Sequence, residues 1–379
     1  MKCEEKKEKE GIRLTKAGTA IQPHTGVLPI GDLLLESGKV LPNVKIAYER
    51  VGPESAPTIL VCHALTGNQY TVGSESAPGW WRELVGPERF IDTNRFQVIT
   101  TNVIGGCNGS TGPLSPDPNT GEAYRSNFPF ITVRDMVHAQ HRFLQKIGIS
   151  HLKAVIGGSL GGMQVLEWGL LYPDFMDLII PIAVTPFLSD YAISFNAIGR
   201  LAILNDPAWK EGMYDPEEQP IMGLSIARIA GLLTYRTPKL FNHRFSREMK
   251  GGWGSDHREI AFQVESYLTY QGEKLSRRFD ANSYLYLLKA MDYHDIGRGR
   301  GGVEKAVEGY RSQVVALAFQ GDLLYPPDEI FRFVGLLREK GVRADYHEVT
   351  THFGHDGFLT EFDRWGGFIT DALKSSSLS

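Results

Sequence analysis

Apolar residues follow two rhythms along this chain. Short apolar runs at Thr58–Cys62, Leu152–Ile156 and Val314–Phe319 have the length and β-branched content of buried strands, Ala344–Val349 reads as the last strand, and helical stretches such as Met163–Tyr172 alternate with them. That alternation predicts an α/β chain whose mostly parallel central sheet is covered by helices on both faces. Two further strands, Asp32–Glu36 and Lys45–Glu49, read as an antiparallel entry to the sheet, with a turn around Pro42-Asn43. From about Asp190 to Arg300 the strand signal lapses. Over Tyr191–Leu204, Gly223–Tyr235, His257–Tyr270 and Asn282–Met291, apolar residues recur at spacings of three and four, the period of helices. The strand rhythm returns at Val314. The predicted organisation is a disordered tail over residues 1–12, a core formed by 13–185 and 305–379, and an inserted helical lid over 186–304.

Composition narrows the function classes. With 379 residues and 42% hydrophobic content, the chain can bury a sizeable core. A net charge of −4, with lysine and arginine scattered, offers no basic patch and argues against nucleic acid as a partner. Cys3, Cys62 and Cys107 are too few and too odd in number for a disulfide framework. Met1–Glu10 alternates lysine with glutamate around no apolar centre, so it is expected to be a solvated tail and neither a leader nor an anchor. No stretch of about 18 apolar residues is present, so no membrane association is expected.

The chemistry concentrates where strands end. Gly157-Gly158-Ser159-Leu160-Gly161-Gly162 lies between an apolar run and a helical stretch, so a serine stands where a strand turns sharply into a helix. Glycines at 157 and 161 remove side chains that would clash across such a turn, and the strain holds the serine hydroxyl exposed at the top of the sheet. A serine hydroxyl needs a base within reach and a third group to orient that base. Asp322 follows the Val314–Phe319 strand, and His355 follows Ala344–Val349 in Thr351-His352-Phe353-Gly354-His355-Asp356. The order Ser159, Asp322, His355 is that of a catalytic triad on an α/β-hydrolase fold. The turn His63-Ala64-Leu65-Thr66-Gly67 after Thr58–Cys62 is where this arrangement draws its second oxyanion donor, so the backbone amides of Leu65 and Leu160 are assigned to the oxyanion hole. His63 reads as a packing residue at a strand end. His352 and His355 lack the further ligands of a closed zinc site, so no metal is expected. The glycine-rich Gly297–Gly302 follows a helical stretch and not a strand, which favours a hinge closing the insertion over a phosphate loop.

From about Leu33 to Leu359 the chain resembles the homoserine O-acetyltransferases of the methionine pathway, a family of the α/β-hydrolase superfamily. The blocks that carry the resemblance include Cys62–Gly67, Pro78-Gly79-Trp80-Trp81, Asn102–Cys107, Gly109–Pro113, Thr132–Met136, Gly157–Gln164, Tyr270-Gln271-Gly272, Arg278–Tyr284 and Gly354-His355-Asp356. Hydrolases at large share only the elbow and the triad. The chain departs from the family at Leu160, where many relatives have methionine, and at Ala183–Phe187.

The resemblance implies an α/β-hydrolase fold with a helical lid and an acetyl-accepting Ser159, with His355 as its base and Asp322 as the orienting acid. It further implies Arg228 for the substrate carboxylate, Asp356 for the substrate ammonium, and Tyr235 and Thr66 as lesser contacts. The implied reaction transfers acetyl from acetyl-CoA, a co-substrate, to L-homoserine, with no other cofactor, in a cytoplasmic homodimer joined through its lid helices. Homoserine O-succinyltransferase, serine O-acyltransferase and, more remotely, carboxylesterase activity are the alternatives that share this triad.

Overall fold

The computed structural model describes residues 23–252, 254 and 256–375; the tail expected over 1–12 lies outside them. Strands β1 (His24–Leu34) and β2 (Val40–Val51) form the antiparallel entry. They are followed by β3 (Thr58–Cys62), a short parallel pair β4 (Val85–Gly86) and β5 (Ile91–Asp92), and then β6 (Gln97–Thr101). Next come α1 (Val133–Lys146), β7 (Leu152–Gly158), α2 (Leu160–Leu171) and β8 (Met176–Ile182). The elements from there to the next strand are helical: α3 (Asp190–Leu204), α4 (Ile221–Tyr235), α5 (Pro238–Phe245), α6 (Gln263–Ser276), α7 (Ala281–Asp292) and α8 (Val303–Ala306). The chain ends with β9 (Gln313–Phe319), α9 (Pro327–Glu339), β10 (Ala344–Val349) and α10 (Phe362–Ser375).

Eight strands form one sheet in the order β1-β2-β6-β3-β7-β8-β9-β10, parallel from β6 onward. The strand period of two divides the core between the two faces of the sheet. In β3, Leu60 and Cys62 join a layer containing Met136, Phe143, Met163 and Trp168, while Ile59 and Val61 join one containing Trp81, Ile91, Trp365 and Ile369. Thus α1, α2 and α9 cover one face and α10 covers the other. The indole N–H of Trp81 donates to the Phe358 carbonyl at 2.9 Å, which ties the second layer to the loop after β10.

Two expectations need correction. The entry hairpin turns at Glu36–Gly38, not at Pro42-Asn43. Asn43 instead sits within β2 at φ 50°, with its N–H donating to Asp32 Oδ1 at 2.9 Å, opposite a stretch of β1 where the register shifts. The helical stretch read from His257 begins only at Gln263. Met249 and Phe262 form an antiparallel bridge that keeps the chain extended, and Glu265 then accepts from the N–H groups of Ala261 and Phe262, starting the helix. In Gly297–Gly302, Arg298 pairs with Glu36 at 2.8 Å and Arg300 with the buried Glu167 at 2.6 Å, so the arginines moor the end of the helical segment to the core.

Candidate active site

Ser159 follows β7 at φ 58°, ψ −123°, a conformation costly for a residue with a side chain, and Leu160 opens α2 directly after it. The glycines around it answer to neighbouring backbone. A Cβ at Gly161 would lie 2.1 Å from the Cys62 carbonyl oxygen, and one at Gly157 2.6 Å from the same atom. The turn therefore sits tightly against the end of β3, which carries the other assigned oxyanion residue. Neither the Leu65 nor the Leu160 N–H meets an acceptor among the described residues, and Leu65 shares a cavity wall with Ser159.

His63 takes a structural place in that wall. Its Nδ1–H donates to the Ala64 carbonyl at 2.8 Å, and its Nε2 accepts from the Val103 N–H at 3.1 Å and lies 3.1 Å from Asn102 Nδ2. Burial lowers its pKa to about 4, so the ring is a neutral brace for the turn that presents Leu65.

Asp322 and His355 meet in the interior. The His355 Nδ1–H donates to Asp322 Oδ2 at 2.7 Å, while Asp322 Oδ1 accepts from the N–H groups of Leu324 and Tyr325 at 2.9 and 3.0 Å. This partner fixes the imidazole proton on Nδ1 and leaves Nε2 as an acceptor. Two side chains link the pair to Ser159. The Phe358 ring stands 5.3 Å from His355 and fills the space that a Cβ on Gly158 would need. The Tyr325 ring stands 5.1 Å from His355, and its fully buried hydroxyl faces Ser159 without meeting hydrogen-bond geometry to any group among the described residues.

The cavity beside Ser159 is narrow, about 30 Å³, and its wall includes Leu65, Asn196, Tyr235 and Tyr284. The Arg228 guanidinium lies 5.5 Å from the centre of the Tyr235 ring and has no carboxylate partner among the described residues. Asp356 approaches Tyr235 as well, and its Oδ2 accepts from Arg236 Nε at 2.9 Å. Arg236 also donates from Nη1 to the Tyr267 hydroxyl at 2.7 Å. Desolvation raises the Tyr235 hydroxyl pKa, Arg228 works against the rise and Asp356 adds to it, so one phenol senses both charges. Thr66 lies apart from these groups. It lines a separate outer cavity, and its carbonyl accepts from Arg278 at 3.0 Å.

Three residues of this neighbourhood were not singled out from the sequence. Tyr325 stands three residues after Asp322, Tyr284 closes the Arg278–Tyr284 block, and Arg236 directly follows Tyr235. The first two lie in segments already marked by their motifs. Arg236 carried no signal, because its partner Asp356 is 120 positions away.

A sequence model of the alpha/beta hydrolase fold matches residues 57–362. The homoserine O-acetyltransferase of Symbiobacterium thermophilum is 47% identical over 343 residues, spanning 88% of this chain and 90% of that protein. Among solved structures, a homoserine O-acetyltransferase from Bacillus anthracis superposes with a TM-score of 0.87 at 27% identity, over 94% of this chain and 98% of its own. Esterase E22 superposes with a TM-score of 0.86 at 26% identity, over 93% of this chain and 100% of its own. With near-half identity along almost the whole of both chains, on a sheet that ends in the elbow and the Asp322–His355 pair, this chain belongs to the homoserine O-acetyltransferase family of α/β hydrolases.

Proposed function

We propose that this protein is an L-homoserine O-acetyltransferase that moves acetyl from acetyl-CoA to the L-homoserine hydroxyl through an acetyl-Ser159 intermediate, in L-methionine biosynthesis. In this reading His355 takes the Ser159 proton and passes it to the departing CoA thiolate. It then takes the proton of the homoserine hydroxyl, which attacks the acetyl carbonyl, and returns it to Ser159 as the ester leaves. Asp322 orients the imidazole, and the Leu65 and Leu160 amides receive the oxyanion of each tetrahedral intermediate. The chemistry asks for no metal or resident cofactor.

The observation that carries the reading is Tyr235, on the wall of the Ser159 cavity, set between an unpaired guanidinium and a carboxylate. A free amino acid carries the complementary pair of charges. Arg228 holds its carboxylate with a planar donor fork, and the Asp356 oxygen left by Arg236 receives its ammonium. The helices between β8 and β9 act as the lid that keeps water from the acyl-enzyme, and their outer face joins two copies into a cytoplasmic homodimer.

A second reading, an ester hydrolase, draws on the similarity to esterase E22. One experiment separates them: purified protein is offered a panel of acyl-CoAs with homoserine, serine or neither, and thiol release is followed. The transferase releases about one equivalent of CoA per site from acetyl-CoA alone, turns over only with homoserine, and gives parallel double-reciprocal plots, with acetyl recovered on the Ser159 peptide. Sustained acetate release without homoserine would make it an esterase. Preference for succinyl-CoA or for serine would move it to the corresponding alternative.

A further inference from the structure

The outer cavity measures about 740 Å³, a size suited to a substantial small molecule, and its lining includes Thr66, Gly67, Asn68, Trp80, Lys274 and Arg278. It adjoins the inner chamber through consecutive residues: Leu65 lines the chamber of Ser159 and Thr66 lines the outer cavity. The inner chamber, at about 30 Å³, accommodates little more than a reacting group, so the bulk of any large substrate must lie elsewhere.

The charges in the outer cavity are unbalanced. Neither Lys274 nor Arg278 has a carboxylate within ion-pair distance among the described residues. Arg278 gives one N–H to the Thr66 carbonyl and keeps the rest of its donors, and it is close enough to Arg228 to be repelled by it. The acid on the cavity wall, Glu49, is only 1% exposed, and its two oxygens accept from the N–H groups of Val72 and Gly73 at 2.7 and 2.8 Å. Burial raises its pKa and further reduces its claim on a cation. A concave site with two cationic heads and no free anion attracts negative charge. Trp80 adds a flat aromatic surface whose orientation is held by its indole N–H donating to the Asn68 carbonyl at 3.0 Å.

We propose that this cavity receives the nucleotide end of the acyl donor. Lys274 and Arg278 pair with its phosphates and the Trp80 indole packs against its base, while the pantetheine arm passes the Thr66 turn and brings the thioester to Ser159. The assignment rests on reading the donor as an acyl-CoA. It uses the outer cavity for the part of the donor that never reacts, whose binding energy is available to hold the thioester in place.

The test compares acetyl-CoA with S-acetyl-N-acetylcysteamine, which has the same thioester without phosphates or base, in wild type, Lys274→Gln and Arg278→Gln. Loss of one charge-assisted contact should lower kcat/KM for acetyl-CoA relative to the truncated thioester by about tenfold in each variant, mainly through KM. Adenosine 3′,5′-bisphosphate should compete with acetyl-CoA in the wild type and weaken by a similar factor in the variants. Equal losses with both donors, or no loss with either, would overturn the assignment. Lys274→Gln is the cleaner arm, because Arg278 also supports the Thr66 turn. A wild type that uses the truncated thioester as well as acetyl-CoA would instead overturn the acyl-CoA reading itself. The two failures therefore leave different signatures.

Discussion

At the scale of single residues, the proposed chemistry reduces to a hydroxyl, an imidazole and a carboxylate acting as a unit. Ser159→Ala and His355→Ala are each expected to lower kcat by roughly 10^4 or more, Asp322→Ala by less, and the double variants by little beyond the worse single one. Steady-state and burst assays check this, and near-normal turnover in Ser159→Ala would remove the serine from the mechanism. His63 gives a prediction of a different kind. Its pKa is 6.5 in the ordinary case and about 4 in the fold, so below pH 6.5 the unfolded chain takes up a proton that the folded one refuses. The stability that His63 contributes is whole above pH 6.5 and drains as the pH falls toward 4, by about 1 kcal/mol at pH 5.5. The stability difference between wild type and His63→Gln should therefore shrink between pH 7.5 and 5.5 in denaturant titrations. A difference that stays constant with pH would mean that the ring takes up its proton as readily in the fold as in the unfolded chain. The positions of Ser159, Asp322 and His355 were legible because each sits on a loop or turn past a readable strand. The pairing of Arg236 with Asp356 was not, because nothing in the spacing of side chains tells which distant carboxylate a guanidinium will meet.

At the scale of elements, legibility followed the strength of burial. The strand Thr58–Cys62 was readable to the residue, since a short apolar run between polar loops has little freedom in where it ends. Less was legible where local chemistry overrides periodicity. A bulge at Asn43 imitated a turn, a bridge at Phe262 imitated the first turn of a helix, and α5, eight residues capped by Thr237, was too short to show a period. The elbow is the element whose geometry is most exacting. Gly161→Ala would bring a Cβ to 2.1 Å from the Cys62 carbonyl, and backbone on both sides leaves nothing flexible to give way. A loss of about 1–3 kcal/mol in unfolding free energy is expected, with a larger proportional loss of kcat, because the Leu160 amide moves with the turn. Gly367 in α10 is the control, with nothing within 4 Å of its added Cβ. Gly367→Ala should stabilise by about 0.5–1 kcal/mol and leave kcat unchanged. If both alanines behaved alike, close packing at Cys62 would not be what requires glycine at 161.

At the scale of the whole molecule, the helices between β8 and β9 carry apolar side chains on more than the faces they bury. On α4, Leu224, Ala227 and Leu232 are buried while Ile221, Met222, Ile226 and Leu233 stand exposed, Met222 at 74%, and Leu201 at 58% and Ile198 extend the exposed set on the neighbouring α3. A helix that is apolar all round is normally covered on all sides, and an extended exposed patch of this kind marks an interaction surface. No helix among the described residues is long and apolar enough to cross a membrane. The homodimer proposed above makes a second copy the occupant to test. Light scattering after size exclusion should give twice the monomer mass at micromolar concentration, and Leu201→Asp with Met222→Asp should give the monomer, since burying two unpaired carboxylates would cost more than the contact returns. Because α3 and α4 also present Phe195, Asn196 and Ala227 to the chamber of Ser159, the monomer should keep its acetyl-enzyme burst but hydrolyse the intermediate faster, as its lid loses outside support. A monomeric wild type would remove the dimer from the reading. A dissociated variant with unchanged hydrolysis would show that the lid holds the chamber closed without its partner.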